Sequence, residues 1–185
     1  PDLDTFYLMN ALVLSMPKAL EDFGQIWGWS AYAMQKGALK ADEEKRYFVW
    51  DAVASNGLKA TKENFQRAIG YNASLSSRVK LEGIDRALAF REQVKSIDAL
   101  VASDGKKPET IYNEGKQAMK DAIGLYDSGL QALDELLAQR QQKLYRVVWL
   151  SLASVSVAIL AALYLFFAFY RVMHQGLATV GTHLA

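Results

Sequence analysis

Apolar residues recur along most of the chain at alternating spacings of three and four, the period of an amphipathic helix. Strand-like alternation is absent, and proline occurs only three times in 185 residues. The pattern predicts four helices before the most apolar segment, at about 3–36, 42–69, 74–101 and from 108 onward. We therefore predict an all-α fold, an antiparallel up-down helical bundle that continues into a single transmembrane helix.

Each predicted helix has an apolar stripe that we expect to face the core. The stripe of the first helix comprises Met9, Leu12, Met16, Ala19, Phe23, Ile26, Ser30 and Ala33, widened by Val13, Leu20, Trp27 and Met34. That of the second comprises Tyr47, Asp51, Ala54, Leu58, Thr61, Phe65 and Ala68. Those of the third and fourth comprise Ala87, Phe90, Val94, Ile97 and Val101, then Tyr112, Met119, Ile123, Tyr126, Leu130, Leu133, Leu137 and Leu144. The polar members of the second stripe suit either an outer helix with a narrow contact, which we favour, or a ligand-lined face.

Helix-breaking and helix-starting residues set the predicted boundaries. Pro17 lies inside the first helix and should kink it or remove one hydrogen bond. Gly37 ends that helix, and Pro108 begins the fourth after a loop at 103–108. The acidic run 42–44 is interpreted as favouring a helix N-terminus rather than binding a metal.

The segment from Val147 to Tyr170 is the most apolar part of the chain. Its 24 residues include no Asp, Glu, Lys, Arg or His. As a helix it would be ~36 Å long, enough to cross a hydrocarbon core of ~30 Å. Arg146 and Arg171 bracket it, and Trp149 and Tyr170 mark its two membrane interfaces. The lipid bilayer is therefore the first predicted partner.

The predicted fourth helix runs into this segment without a break. No helix-breaking residue separates Leu144 from Val147. From residue 109 to residue 171 the continuous helix would be roughly 95 Å long. We therefore divide the chain into a bundle domain at 1–146, a transmembrane helix at 147–170 and a short segment at 171–185.

Composition excludes several classes of function. The formal net charge of +1 gives no reason to propose nucleic acid as a partner. With no cysteine in the chain, disulfides and thiolate metal sites are excluded. The two histidines, His174 and His183, follow the apolar segment, so the bundle has no histidine for a catalytic triad. We predict no catalytic residue, metal site or cofactor, and we do not expect an enzyme.

Two sets of side chains are candidates for binding a small-molecule ligand. Aromatic residues gather around the first predicted hairpin, with Trp27, Tyr47 and Trp50 as the candidates and Trp29 and Tyr32 beside them. Arginines in the second and third helices suit a carboxylate, with Arg67, Arg78 and Arg86 as the candidates and Arg91 nearby. The alternatives are aromatic packing at one end of the bundle and solvated surface charge.

Residues 3–12, LDTFYLMNAL, resemble a helix of the periplasmic sensor regions of methyl-accepting chemotaxis proteins and of some sensor histidine kinases. Residues 170–174, YRVMH, and 176–184, GLATVGTHL, resemble the control cable and the first helix of a HAMP domain. The resemblance implies a homodimeric chemoreceptor of the bacterial inner membrane, in chemotaxis signal transduction. Its periplasmic four-helix bundle would bind a small molecule, and its final helix would signal by a piston-like or rotational shift. The exposed side of the first and fourth helices is the expected dimer interface.

Two other interpretations of the chain remain open. It suits the sensor region of a membrane histidine kinase, or a single-span helical accessory subunit of a larger membrane complex that binds no ligand. Arg140, Lys143 and Arg146 precede the apolar segment, and charge bias alone would place the bundle in the cytoplasm. We nevertheless expect a periplasmic bundle, because long domains translocate largely regardless of charge. We also expect the sequence to be part of a longer protein.

Overall fold

The computed structural model describes residues 2–37, 39–96 and 107–183, with side chains as far as residue 173. These residues form helices and no strand, which confirms the all-α prediction. The helices are α1 (Leu3–Met9), α2 (Met16–Lys36), α3 (Ala41–Tyr71), α4 (Glu82–Val94) and α5 (Pro108–His183). A π-helical segment, Asn10–Ser15, joins α1 to α2, and a 3₁₀ turn, Ala73–Ser77, precedes α4.

Contacts between the helices define an up-down-up-down bundle. On α3 and α4, Asp51 pairs with Arg91 whereas Lys62 pairs with Asp85, so the two helices run antiparallel. On α2 and α3, the antiparallel order is set by two contacts, Ser30 with Tyr47 and Ala19 with Gly57. Helices α4 and α5 are antiparallel as well, because Gln93 contacts Glu114 whereas Arg86 contacts Asp121.

The core follows the predicted stripe of α3 completely. Its seven predicted residues, Tyr47 to Ala68, are all buried. The polar members of this stripe are satisfied inside the protein, because Asp51 pairs with Arg91 and the Thr61 hydroxyl donates to the Gly57 carbonyl at 2.8 Å. This face is therefore part of the core.

The predicted stripe of the first helix is wrong at Met9 and Val13 and is confirmed at the other core positions, namely Leu12, Met16, Ala19, Phe23, Ile26, Ser30 and Ala33. Leu8 and Ala11 are buried, whereas Met9 and Val13 are exposed. The π-helical segment explains the difference: the Met16 N–H donates to the Ala11 carbonyl, one residue further back than in an α-helix. This extra residue rotates the preceding turn. The segment ends two residues before Pro17, which cannot donate a backbone hydrogen bond.

The predicted third helix starts too early. Residues 73–77 form a 3₁₀ turn, and α4 begins at Glu82. Local hydrogen bonds account for this, because Asn72 Oδ1 accepts from Ser74 N and the Ser76 and Ser77 hydroxyls donate to the Ala73 and Ser74 carbonyls. The buried residues Ala87, Phe90 and Val94 confirm the rest of the described stripe, while Ile97 and Val101 lie outside the described residues.

The boundaries of α2, α3 and α5 confirm the predicted helix signals. Gly37 ends α2 with a φ of 82°, and its N–H donates to the Ala33 carbonyl. The Lys40 N–H before α3 donates to the Glu43 carboxylate at 2.8 Å, which shows that the acidic run caps a helix. Helix α5 begins at Pro108 and continues without interruption to His183.

The predicted stripe of α5 is wrong for five residues that share one side of the helix, namely Leu144, which is 67% exposed, and four residues that precede it. Tyr112, Ile123, Leu130 and Leu137 are 39–47% exposed, and we call these four side chains the apolar seam. A neighbouring track of mostly small residues faces the core instead, namely Ile111, Gly115, Ala118, Ala122, Leu125, Gly129 and Ala132. Small residues let α5 approach closely, since a Cβ on Gly115 would overlap the rings of Trp27 and Phe90.

The chain divides into two compact units, Pro1–Leu137 and Ala138–Ala185. The first contains the bundle, and the second contains the apolar part of α5. Helix α5 contributes to both.

Candidate functional site

The predicted aromatic group is divided among three places in the bundle. Tyr47 lies in the core at 2% exposure. Its hydroxyl donates to the Val94 carbonyl at 2.6 Å and lies 3.0 Å from the Ser30 hydroxyl oxygen. Burial raises the pKa of Tyr47. Its contacts are those of a core residue that joins three helices.

Trp27 connects α2 to α5. Its indole Nε1 donates to the Tyr112 carbonyl at 2.8 Å, and its ring lies 5.1 Å from the Tyr112 ring. The indole also covers Gly115. Trp50 belongs to a separate group on α2 and α3, where the ring centres of Trp29 and Trp50 are 5.3 Å apart. The structure therefore does not bring Trp27, Tyr47 and Trp50 together.

Arg67 stands apart from the other candidate arginines. Its guanidinium carbon lies 5.5 Å from the centre of the Tyr7 ring, which stacks on the Tyr71 ring at 5.7 Å. These contacts hold α1 against the end of α3. Arg67 is exposed.

Arg91, the arginine that follows the candidate Arg86 along α4, forms an ion pair with Asp51. Its Nε donates to Asp51 Oδ1 at 2.5 Å, and its Nη2 donates to the other carboxylate oxygen. This hydrogen-bonded pairing raises the pKa of Arg91. The bidentate ion pair links α3 to α4 and leaves Arg91 with a structural role.

Arg78 and Arg86 do line a common cavity, a groove of about 610 Å³ between the start of α4 and the middle of α5. Arg86 Nη1 lies 2.5 Å from Asp121 Oδ2, and Arg78 pairs with Glu135. Asp121 also accepts a hydrogen bond of 2.9 Å from the Gln117 amide. We call this cavity the basic groove, and two of the three predicted arginines belong to it.

Sequence reasoning missed three further residues of the basic groove. Lys80 and Lys120 add two cations, and Gly124 leaves open space on α5. These residues have no shared sequence motif. They meet because α4 pairs with α5 in one register, which the sequence pattern alone does not specify.

The apolar segment of α5 has the composition and length of a membrane span. Within the described residues, α5 is the one helix long and apolar enough to cross a membrane. Its side chains from Val147 to Tyr170 are exposed, with Ala168 half-buried. The predicted interface residues Arg146, Trp149, Tyr170 and Arg171 are exposed at its two ends. By length and composition, this uncovered segment could cross a membrane.

The described residues include no cluster of acidic or histidine side chains suited to a metal ion. Comparison with protein-family models, with curated proteins and with solved structures found no match to this chain.

Proposed function

We propose that this chain is the sensory and membrane-spanning part of a bacterial transmembrane chemoreceptor. In this proposal a periplasmic helical bundle binds a small molecule, and α5 carries the resulting displacement through the inner membrane. The sequence resemblance of residues 3–12 and 170–184 supports the receptor class.

The observation that carries the proposal is the continuity of α5. Its residues 111–132 pack inside the bundle, and its residues 147–170 form the apolar segment. An intact hydrogen-bonded helix passes an axial shift or a rotation from one end to the other. A ligand that moves α5 in the bundle would therefore act at the membrane.

The basic groove is the proposed ligand site because α5 forms one of its walls. Arg86 on α4 is joined to Asp121 on α5, so a ligand that competes for the guanidinium changes a contact between the two helices. This arrangement couples ligand binding to the position of α5.

A homodimer is part of the proposal, since receptors of this kind act through paired helices. The apolar seam supplies a surface for a second copy, with Ile123, Leu130 and Leu137 spaced seven residues apart as in a coiled coil. The first helix also exposes Phe6, Met9, Val13 and Leu14.

The test is the intact mass and the terminal sequences of the native polypeptide, isolated from membranes. The chemoreceptor proposal expects a mass far above 20.6 kDa, with long coiled methylation helices after residue 185. A histidine-bearing dimerisation helix followed by an ATP-binding domain would assign the chain to a sensor kinase instead. A native chain that ends near residue 185 would overturn both.

A further inference from the structure

Two glycines in the basic groove meet different surroundings. A Cβ on Gly83 would overlap the Asp121 carbonyl oxygen, so Gly83 allows α4 to lie directly on α5. A Cβ on Gly124 would meet no atom within 4 Å. Glycine is unfavourable in the middle of a helix, and no close packing requires it at Gly124. Its effect in the fold is to keep the groove open.

The charge of the groove is unbalanced. It is lined by four cationic and two acidic side chains, Arg78, Lys80, Arg86, Lys120, Glu82 and Asp121. Counting Glu135 as well, which pairs with Arg78, four positive and three negative charges leave a net charge of +1. Like charges in one groove repel each other, so an anionic ligand would be stabilised there.

Donors for such a ligand remain available. Arg78 and Arg86 each reach their acidic partner through Nη1, which leaves the other guanidinium N–H groups outside these ion pairs. Among the described residues, Lys80 and Lys120 are not in an ion pair. Asp121 is held by both Arg86 and Gln117, which fixes the inner wall of the groove.

The lining of the groove extends along α5. Its α5 wall extends from Lys120 to Ser128, a rise of about 12 Å along the helix. Gly124, which is exposed, and Leu125 beside it give the groove an uncharged surface on α5. A compact anion such as phosphate would meet few of these cations, whereas a ligand with a carboxylate at each end would reach both sides.

From this arrangement we infer that the basic groove binds a small aliphatic dicarboxylate. The inference rests on the proposed function, since it names the ligand class of the proposed sensor. The carboxylates contact the arginine and lysine side chains, and the carbon chain lies over Gly124, beside Leu125. A volume of about 610 Å³ is within the usual range for a small-molecule site.

Isothermal titration calorimetry on the whole chain in nanodiscs of zwitterionic lipid tests the ligand class. The probes are succinate, glutarate and adipate, with the matching diamides, acetate and inorganic phosphate for comparison. We expect saturable binding of at least one dicarboxylate and none of the diamides. Absence of binding by all three dicarboxylates, or equal binding of acetate or phosphate, would overturn the inference.

Two substitutions locate the site. Gly124→Leu should fill the groove and abolish binding, while helix content stays unchanged because leucine favours a helix. Gly28→Leu is the matched control, since Gly28 also has no neighbour within 4 Å but lies on α2 outside the basic groove. Dicarboxylate binding that survives Gly124→Leu would place the ligand elsewhere and contradict the assignment.

A second pair of variants tests the charges. Arg86→Gln should weaken dicarboxylate binding by about tenfold or more, whereas Arg67→Gln, which lies against the Tyr7 ring and does not line the basic groove, should leave it unchanged. Equal effects of the two variants would indicate general electrostatic attraction and overturn the specific site. Calorimetric titration does not depend on the orientation of the protein in the membrane. A negative result would therefore exclude the dicarboxylate ligand alone. The receptor proposal is tested separately, by the mass and terminal sequences of the native polypeptide.

Discussion

The hydroxyl of Tyr47 donates a hydrogen bond of 2.6 Å to the carbonyl oxygen of Val94, the last residue of α4. Carbonyl groups at a helix C-terminus have no partner within the helix, so this contact satisfies a buried acceptor. The same hydroxyl lies 3.0 Å from the Ser30 side chain on α2. One phenol therefore connects α2, α3 and the end of α4.

The variant Tyr47→Phe should destabilise the bundle by about 1–3 kcal/mol, because it leaves the Val94 carbonyl buried without this donor. The measurement is chemical denaturation followed by far-UV circular dichroism. Tyr71→Phe is the control, since Tyr71 is exposed and its ring stack with Tyr7 survives the change. Equal stability of Tyr47→Phe and the wild type would contradict this role of the hydroxyl.

Tyr47 should also make the bundle less stable at alkaline pH. Burial raises the pKa of Tyr47 above its ordinary value of 10.0, so above pH 10 the unfolded chain releases a proton that the folded chain keeps. The unfolded state then binds fewer protons, and the unfolding free energy decreases by up to about 1.4 kcal/mol per pH unit. Denaturation between pH 8 and pH 11 should show the stability advantage of wild type over Tyr47→Phe shrinking above pH 10. A constant difference across this range would refute the coupling.

Alanine substitutions at two glycines of α5 should change the stability of the bundle in opposite directions. Gly115→Ala should destabilise by about 1–3 kcal/mol, since its Cβ would overlap the Trp27 and Phe90 rings. Gly124→Ala should stabilise by up to about 1 kcal/mol, because the position is open and alanine favours a helix. Thermal unfolding of the two variants side by side measures both effects. A loss of stability in Gly124→Ala would show that this position is packed.

The apolar seam should mediate pairing of two copies. The chain contains no cysteine, so a disulfide between two copies of Leu130→Cys must join residue 130 of one copy to residue 130 of the other. We expect rapid oxidative cross-linking of Leu130→Cys in membranes and slow cross-linking of Glu63→Cys, an exposed position on α3. Non-reducing gel electrophoresis measures the dimer fraction. Similar rates for the two variants would argue against the seam as the interface.

The sequence pattern predicts the helical class, the apolar segment and the core stripe of α3. It fails at residues 9 and 13, because the shift in hydrogen bonding at Asn10–Ser15 is not visible in hydrophobic spacing. It also fails on α5, where large apolar residues form a regular heptad track but small residues face the core. Periodicity identifies an apolar face without specifying what covers it.

The candidate site was only partly predictable for a similar reason. An arginine suits a carboxylate wherever it lies, but only the register of α4 on α5 separates Arg86 in the basic groove from Arg67 on the Tyr7 ring. From the sequence, the aromatic side chains of Tyr47 and Trp27 are equally suited to binding a ligand. In the fold, hydrogen bonds to backbone carbonyls give both a structural role.

We propose that α5 crosses a membrane and separates the bundle from the residues beyond 171. Single cysteines at Lys59 on α3 and at Gln175 test it directly in intact cells with a membrane-impermeant maleimide. We predict that the Lys59→Cys variant is labelled in intact spheroplasts, whereas the Gln175→Cys variant is labelled only after the membrane is permeabilised. Labelling of both positions without permeabilisation would contradict the membrane span, and the reverse pattern would contradict the periplasmic orientation of the bundle.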